Sequence, residues 1–190
     1  MFTCVIGAVV ACAAPVPEAA TAAERYDAAI IAAIHLFTRQ DEADHLRALL
    51  EKHPRLVNER ERFPQPSKPS HTDSFTPLHW AARTGCTKAA AVLLEYRADL
   101  NADSGHGWTA MHIAANEGHL DLVKLLIEHG AKPDRKTEAQ PEHEFYPPSP
   151  GPDSDMKPIK FEAVPAMTAL DVAKRAKKSA VAEYLKSLPK

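Results

Sequence analysis

Apolar residues along the chain fall into short helical stretches separated by polar or glycine-bearing breaks. Ile30, Ile31, Ile34 and Phe37 recur at helical spacing within Ala28 to Phe37. After the polar stretch Thr38 to Glu42, residues Leu46, Leu49 and Leu50 mark one face of a second helix, Ala43 to Lys52. His53-Pro54 ends it, because a residue before proline is pushed out of the helical region. Leu78, Ala81 and Ala82 then give a helix with a small apolar face. Ala89, Val92 and Leu93 define its partner, Thr87 to Tyr96. The next pair repeats these roles with Leu122, Leu125 and Leu126 inward and Gly130 at its end. A last pair turns Val181, Tyr184 and Leu185 inward and many lysines outward. The pattern predicts four antiparallel helix pairs.

Two of these pairs are nearly the same sentence. Phe75-Thr-Pro-Leu-His-Trp-Ala-Ala-Arg-Thr-Gly85 is answered by Trp108-Thr-Ala-Met-His-Ile-Ala-Ala-Asn-Glu-Gly118. Thr76 to Thr109 and Gly85 to Gly118 are each 33 residues apart. A fixed period of this size means stacked units, none of which buries its apolar face alone. Thr76 suits the N-cap and Pro77 the first helical position, where no N–H is needed. Gly85 supplies the left-handed turn between the two helices. The spacing then stretches twice. Asn58 to Thr76 is 18 residues where Asn101 to Thr109 is 8, and Thr109 to Thr168 is one period plus 26.

Thr76-Pro-Leu-His79, Thr109-Ala-Met-His112, Thr168-Ala-Leu-Asp171, the glycines Gly85, Gly118 and Gly130, and Ala98-Asp-Leu-Asn101 together resemble the ankyrin repeat. The resemblance implies an all-α solenoid of stacked helix–turn–helix units with finger loops projecting at right angles. On it the chain divides into a leader at 1–23, a degenerate N-terminal capping repeat at 24–58 and a polar Pro/Ser insertion at 59–74. Repeats follow at 75–107 and 108–134, then a Pro-rich acidic insertion at 135–166 and a C-terminal capping repeat at 167–190. Terminal units of such stacks need a soluble outer face. Three features depart from the family pattern. Arg97 stands where a glycine is usual, so its turn is expected to be strained or rearranged. Lys177 stands at the inter-helix glycine of the last unit and leaves that turn's geometry open. The first unit lacks the Thr-Pro-Leu-His signature.

Composition narrows the function. Apolar residues make up 45% of the chain and charged ones 25%, ordinary for a globular protein. A formal charge of -2 gives no basic footprint for nucleic acid. No stretch approaches the ~18 apolar residues of a spanning helix. The run Phe2 to Ala14 has the length of a signal-peptide core, and Ala11-Cys12-Ala13 offers a cleavage site. Val9-Val10-Ala11-Cys12 resembles a lipobox, which would place a lipid anchor on Cys12. No Lys or Arg precedes the run, against both readings. The expectation is export to the periplasm, envelope or medium; the alternative is a cytoplasmic protein with an apolar N-terminus.

The ten histidines invite a metal or catalytic reading, but most have structural places. His79 and His112 recur with the period and read as framework, bonding the motif threonine and nearby backbone. His53, His106, His119 and His129 fall at helix ends or loops. Glu142-His143-Glu144 is the one dense ligand trio, in the longer insertion. There is no nucleophile elbow, phosphate-cradling glycine loop or His-Glu-x-x-His, so no cofactor and no catalytic residue is expected. Cys86 opens a helix, which can lower a thiol pKa, but a half-buried turn residue is the plainer reading. Lys174-Arg175-Ala-Lys177-Lys178 reads as a solvated cap face.

The resemblance implies a concave recognition face made by fingertips and the outward positions of each first helix. Carried over by position, the finger residues are Asp73, Phe75, Asp103, His106 and Trp108. The helix positions are Arg83, Thr84, Asn116, Glu117 and Arg175. The expected function is non-enzymatic binding of a protein partner by a monomer. The alternatives are a metal-dependent or enzymatic protein using 135–166 as a lid with Glu142, His143 and Glu144 as ligands, and a spacer for a lipid anchor. Phe145-Tyr146-Pro-Pro-Ser-Pro150 could also dock as an extended strand.

Overall fold

A computed structural model describes residues 22–63, 73–104, 107–139, 143–145, 159–161 and 163–189. Eight α-helices form four antiparallel pairs among the described residues. They are α1 Ala22–Arg39 with α2 Ala43–Lys52, α3 Pro77–Thr84 with α4 Thr87–Glu95, α5 Ala110–Glu117 with α6 Leu120–Glu128, and α7 Ala169–Arg175 with α8 Ser179–Ser187. First helices pack on first helices in the order α1, α3, α5, α7, and the second helices make a parallel layer behind them. This is a helical solenoid, as the period predicts.

The core explains why small and branched apolar residues alternate in the sequence. Ala81, Ala82, Ala89, Ala90, Ala114, Ala115 and Ala173 are all 0% exposed and let backbones approach closely. Leu46, Leu50, Leu78, Leu93, Leu122 and Leu126 fill the space between units at 0–1% exposure. Each such leucine contributes about 1.5–3 kcal/mol of burial. Five apolar-face positions expected from the pattern are only half-buried: Ile31, Phe37, Leu49, Leu125 and Tyr184. Val123 is fully buried instead. The helix turns it inward beside Leu122 because α6 lies between two neighbouring second helices and needs a face wider than one stripe.

The turns between paired helices are left-handed in all four units. Gly85 and Gly118 have φ 77 and 89, and Asp41 and Lys177 hold the same position with φ 57 and 58. Arg97, at the end of α4, has φ 62 where Gly130 at the end of α6 has φ 91. The turns at Arg97 and Lys177 are therefore kept rather than rearranged, at a steric cost of roughly 1–2 kcal/mol each. Asp41 uses its side chain: Oδ1 accepts from the Ala89 N–H at 2.8 Å, capping the first turn of α4 in the next unit. Arg97 is exposed. Arg97→Gly is expected to raise stability by up to about 1 kcal/mol, since relieved strain is partly offset by a freer unfolded chain. Urea denaturation of the two proteins checks this.

Two readings from the pattern need correction. The first helix starts at Ala22, not Ala28, and runs on to Arg39, because no proline or cap residue stops it where Thr76-Pro77 starts α3. Each insertion contains a short antiparallel strand pair rather than being irregular throughout. Strand β1 Glu61–Phe63 pairs with β2 Asp73–Phe75, and β3 His143–Phe145 pairs with β4 Ile159–Phe161. Their partners are three residues long, too short for an alternating pattern to stand out.

All three fingers close at one register. Glu61 pairs with Phe75. Ser104 donates its backbone N–H to the Trp108 carbonyl at 2.9 Å, and Thr137 donates to Met167 at 2.9 Å. The Met167 N–H returns a bond to the Thr137 hydroxyl at 3.0 Å. Phe75, Trp108 and Met167 are thus equivalent, each one residue before a motif threonine. Both insertions enter at fingers that flank the central one.

Candidate interaction surface

The fingers are tied to the helices by buried imidazoles. In α3 the His79 Nδ1 accepts from the Thr76 N–H at 3.1 Å and lies 2.7 Å from its hydroxyl. The backbone donor leaves Nε2–H to donate to the Ala102 carbonyl in the next finger at 3.1 Å. One period later His112 takes the same bonds from Thr109 and donates to the Arg135 carbonyl at 2.9 Å. In the last unit Asp171 replaces histidine and closes the cap with Thr168 at 2.7 Å. That hydrogen bond holds its carboxyl below the usual range. These residues are framework, as their recurrence predicts.

A third ring belongs to this series and was not evident from the motif. His35 Nε2 lies 3.1 Å from the Glu59 carbonyl, just ahead of the first finger. It stands 44 residues before His79, as Asp41 stands 44 before Gly85. The signal in the sequence is that offset; Ala32-Ala33-Ile34 stands before it in place of Thr-Pro-Leu. Burial pushes His35 and His79 from 6.5 down to about 4, the accepting carbonyls pulling partly back. His112 is lowered too, again mainly by burial.

On this frame the outward positions of successive first helices form one row: Arg39, Arg83, Asn116 and Arg175. At its far end the structure brings together three predicted residues, two from the 108–134 repeat and one from the last unit. Trp108, Asn116 and Arg175 line one groove of about 350 Å³ with Val164, Met167 and Val172. Trp108 is half-buried, its ring 6.2 Å from that of His112. Arg175 lines the groove and points one guanidinium N–H toward the Met167 sulfur at 3.9 Å.

The near end carries an aromatic–cation cluster. Phe75 is half-buried, with its ring 5.4 Å from Trp80 and 5.9 Å from His79. The Arg39 guanidinium lies 4.6 Å from the Trp80 centroid, and that of Arg83 lies 5.7 Å from Trp80 and 6.0 Å from Phe75. Trp80 and Arg39 were not among the predicted surface residues. Trp80 falls at the position of buried Ile113 and Val172, which is why the pattern reads it as core.

The other predicted positions are less committed to an outer partner. Thr84 is exposed, yet its hydroxyl donates to the Trp80 carbonyl at 2.9 Å. Asn116 donates to Glu117 at 3.1 Å on the exposed face. Asp103 is half-buried beside the central finger. Asp73 lies in β2. His106, residues 1–21 of the leader with Cys12, Glu142 and Tyr146 to Pro150 lie outside the described residues. His143 and Glu144 lie in β3. No group of three or more His, Cys, Asp or Glu side chains positioned for a metal occurs among the described residues. No described helix is long and apolar enough to cross a membrane.

Cys86 is 9% exposed and sits in a seam between units, its Sγ 3.5 Å from the Arg39 carbonyl. His119 holds the same place one period on, with Nε2 3.3 Å from the Arg83 carbonyl and its ring against Gly85. The thiol is therefore part of the stack. A larger recess of about 530 Å³ lies at the end of the stack, between Leu170, Leu185 and Leu188. It holds none of the predicted contact positions.

Comparisons with known proteins agree with this architecture. The family pattern described as Ankyrin repeats (3 copies) matches residues 34–137. The 26S proteasome non-ATPase regulatory subunit 10 of Dictyostelium discoideum is 42% identical over 60 residues, 31% of this chain and 26% of that protein. Ankyrin repeat and SAM domain-containing protein 6 of Rattus norvegicus is 45% identical over 60 residues, 31% of this chain and 7% of that protein. Protein phosphatase 1 regulatory subunit 27 of Homo sapiens is 34% identical over 64 residues, 34% of this chain and 42% of that protein. The chain thus spans less than half the length of each of these relatives. The shared length, the period and the stacked helix pairs all point one way: the chain belongs to the ankyrin-repeat family.

Proposed function

We propose that the protein is a non-enzymatic binding module that holds a protein partner against the row Arg83, Asn116, Arg175 and the central finger. The observation that carries this reading is the convergence of Trp108, Asn116 and Arg175 on one groove. A half-buried tryptophan beside a polar amide and a guanidinium is the composition of an interface anchor. Two of the relatives are named as regulatory subunits, which is in keeping with recognition rather than catalysis. The same proposal takes the chain as an exported monomer with Cys12 as a lipid site, supported by the leader sequence alone. The mass of the mature N-terminus tests that part directly.

The binding reading is tested by affinity capture from the native compartment with wild-type protein and with Trp108→Ala and Asn116→Ala. Loss of an interface anchor is expected to weaken a captured partner by roughly 30-fold or more, about 2 kcal/mol. Hydrogen exchange on the captured complex should show protection along α5 and the central finger. Capture unaffected by both substitutions, with no protection there, would overturn it.

A further inference from the structure

The charge of this row differs in sign from that of the chain. The outward pairs of the four first helices are Arg39 and Gln40, Arg83 and Thr84, Asn116 and Glu117, Arg175 and Ala176. Three arginines face a single glutamate there, while the whole chain carries -2. Arg83 and Arg175 are both exposed. Neither has a carboxylate within ion-pair distance among the described residues. Each is instead held beside an aromatic or apolar surface. Arg83 sits over Trp80 and Phe75, and Arg175 walls the groove with Trp108 and Met167. A guanidinium laid against such a surface is less hydrated and keeps its planar fork free for a carboxylate.

From this charge and placement we infer that the face takes an extended acidic segment of a protein partner. Two carboxylates of that segment meet Arg83 and Arg175, and an apolar side chain two residues beyond the second, on the same face of the extended chain, enters the groove under Trp108. The inference rests on the binding reading above and adds the partner's chemistry. The spacing follows from the stack. Arg83 and Arg175 are two units apart, and helices pack 8–10 Å from axis to axis, so the two cations lie roughly 16–20 Å apart. An extended chain advances about 3.3 Å per residue, so the two carboxylates belong about six residues apart. The positive row also steers an acidic chain toward the face, which makes association sensitive to salt.

The chain's two tryptophans are Trp80 and Trp108, one at each end of this surface, so intrinsic fluorescence reports binding without a label. The probe is a synthetic twelve-residue peptide with glutamates at its third and ninth positions, leucine at its eleventh, and serine, threonine and glycine elsewhere. It is titrated into the full chain at low and at moderate salt. Saturable quenching below about 100 μM is expected, weakening severalfold with salt. Arg83→Glu and Arg175→Glu should each weaken binding at least tenfold. Lys186→Glu on the opposite layer should not, and circular dichroism confirms that each variant is folded. A peptide with lysine in place of both glutamates should bind the double arginine variant and not the wild type.

Equal binding of a peptide with glutamine in place of glutamate would overturn the inference. So would unchanged affinity in the arginine variants, or tighter binding of a twelve-nucleotide oligothymidine than of the acidic peptide. If the acidic peptide fails while a captured native partner still protects α5 and the central finger, the acidic chemistry falls and the binding face stands. If that protection is missing too, both fall.

Discussion

Acidifying the protein from about pH 6.5 to about pH 4 removes several kcal/mol of its folding stability. His35 and His79 are held neutral in the fold with pKa values of about 4, against 6.5 when free. The shift is downward, so the unfolded chain binds protons that the folded one refuses. The stabilising contribution is fully present above the unfolded value and is lost as pH falls toward the folded value. Each ring then contributes on the order of 3 kcal/mol to the loss, and His112 shifts in the same direction. Domains of this kind hold about 5–15 kcal/mol in total, so the loss is large enough to populate unfolded protein.

The geometry says why the rings cannot simply accept the proton. His79 Nδ1 already receives the Thr76 N–H, and a protonated nitrogen would face that donor. Stability from urea denaturation, measured between pH 7 and pH 4, should fall with its steepest slope inside this window. His35→Gln and His79→Gln should be less stable at neutral pH but show a shallower slope. A curve that stays flat down to pH 4 would refute the neutral-imidazole account.

Gly107→Ala is expected to cost about 2–5 kcal/mol. Gly107 turns the central finger with φ 73, and a methyl group there would lie 2.6 Å from the Glu138 backbone nitrogen. The left-handed conformation alone costs an alanine roughly 1–2 kcal/mol. The added contact is with backbone, which cannot rotate away, so a further cost of about 1–3 kcal/mol is expected. The neighbouring Thr137 is pinned to Met167 on both its N–H and its hydroxyl, which removes the easy relaxation. Thermal melting should show a drop of several degrees or more. Gly130 has φ 91 but nothing within 4 Å of a built methyl group, so alanine there should cost the backbone penalty only. Equal effects at the two glycines would mean that the finger contact carries no energy.

How much was legible beforehand depends on whether a position repeats. Thr76, Pro77, His79 and Gly85 each announce a backbone role by residue type. Their return at Thr109, His112 and Gly118 removes the ambiguity a single copy would leave. The αL turns at Arg97 and Lys177 were legible as positions but not as geometry: residue type argued against that conformation, and the stack imposed it. His35 was hidden by the opposite problem, a residue in register whose flanking motif had gone. In the cluster of Arg39, Trp80, Arg83 and Phe75, the Arg83–Trp80 pair stands at helical spacing within one unit and Phe75 and Arg83 are predicted surface residues. The Arg39 contact with Trp80 comes from the preceding unit, and no pattern within one unit reports it.

The shared closure of the fingers has an effect on how the protein can change. Between the closing pairs lie 13 residues in the first finger, 3 in the second and 29 in the third. In every case the chain leaves the stack and comes back at the spacing of two paired strands, about 5 Å. Going from 3 to 29 residues adds only about 2 kcal/mol of closure entropy. The helices on either side meet the same ends in each case. Each finger is thus a socket of fixed width, and new sequence can be fitted into one without the repeats having to solve their packing again.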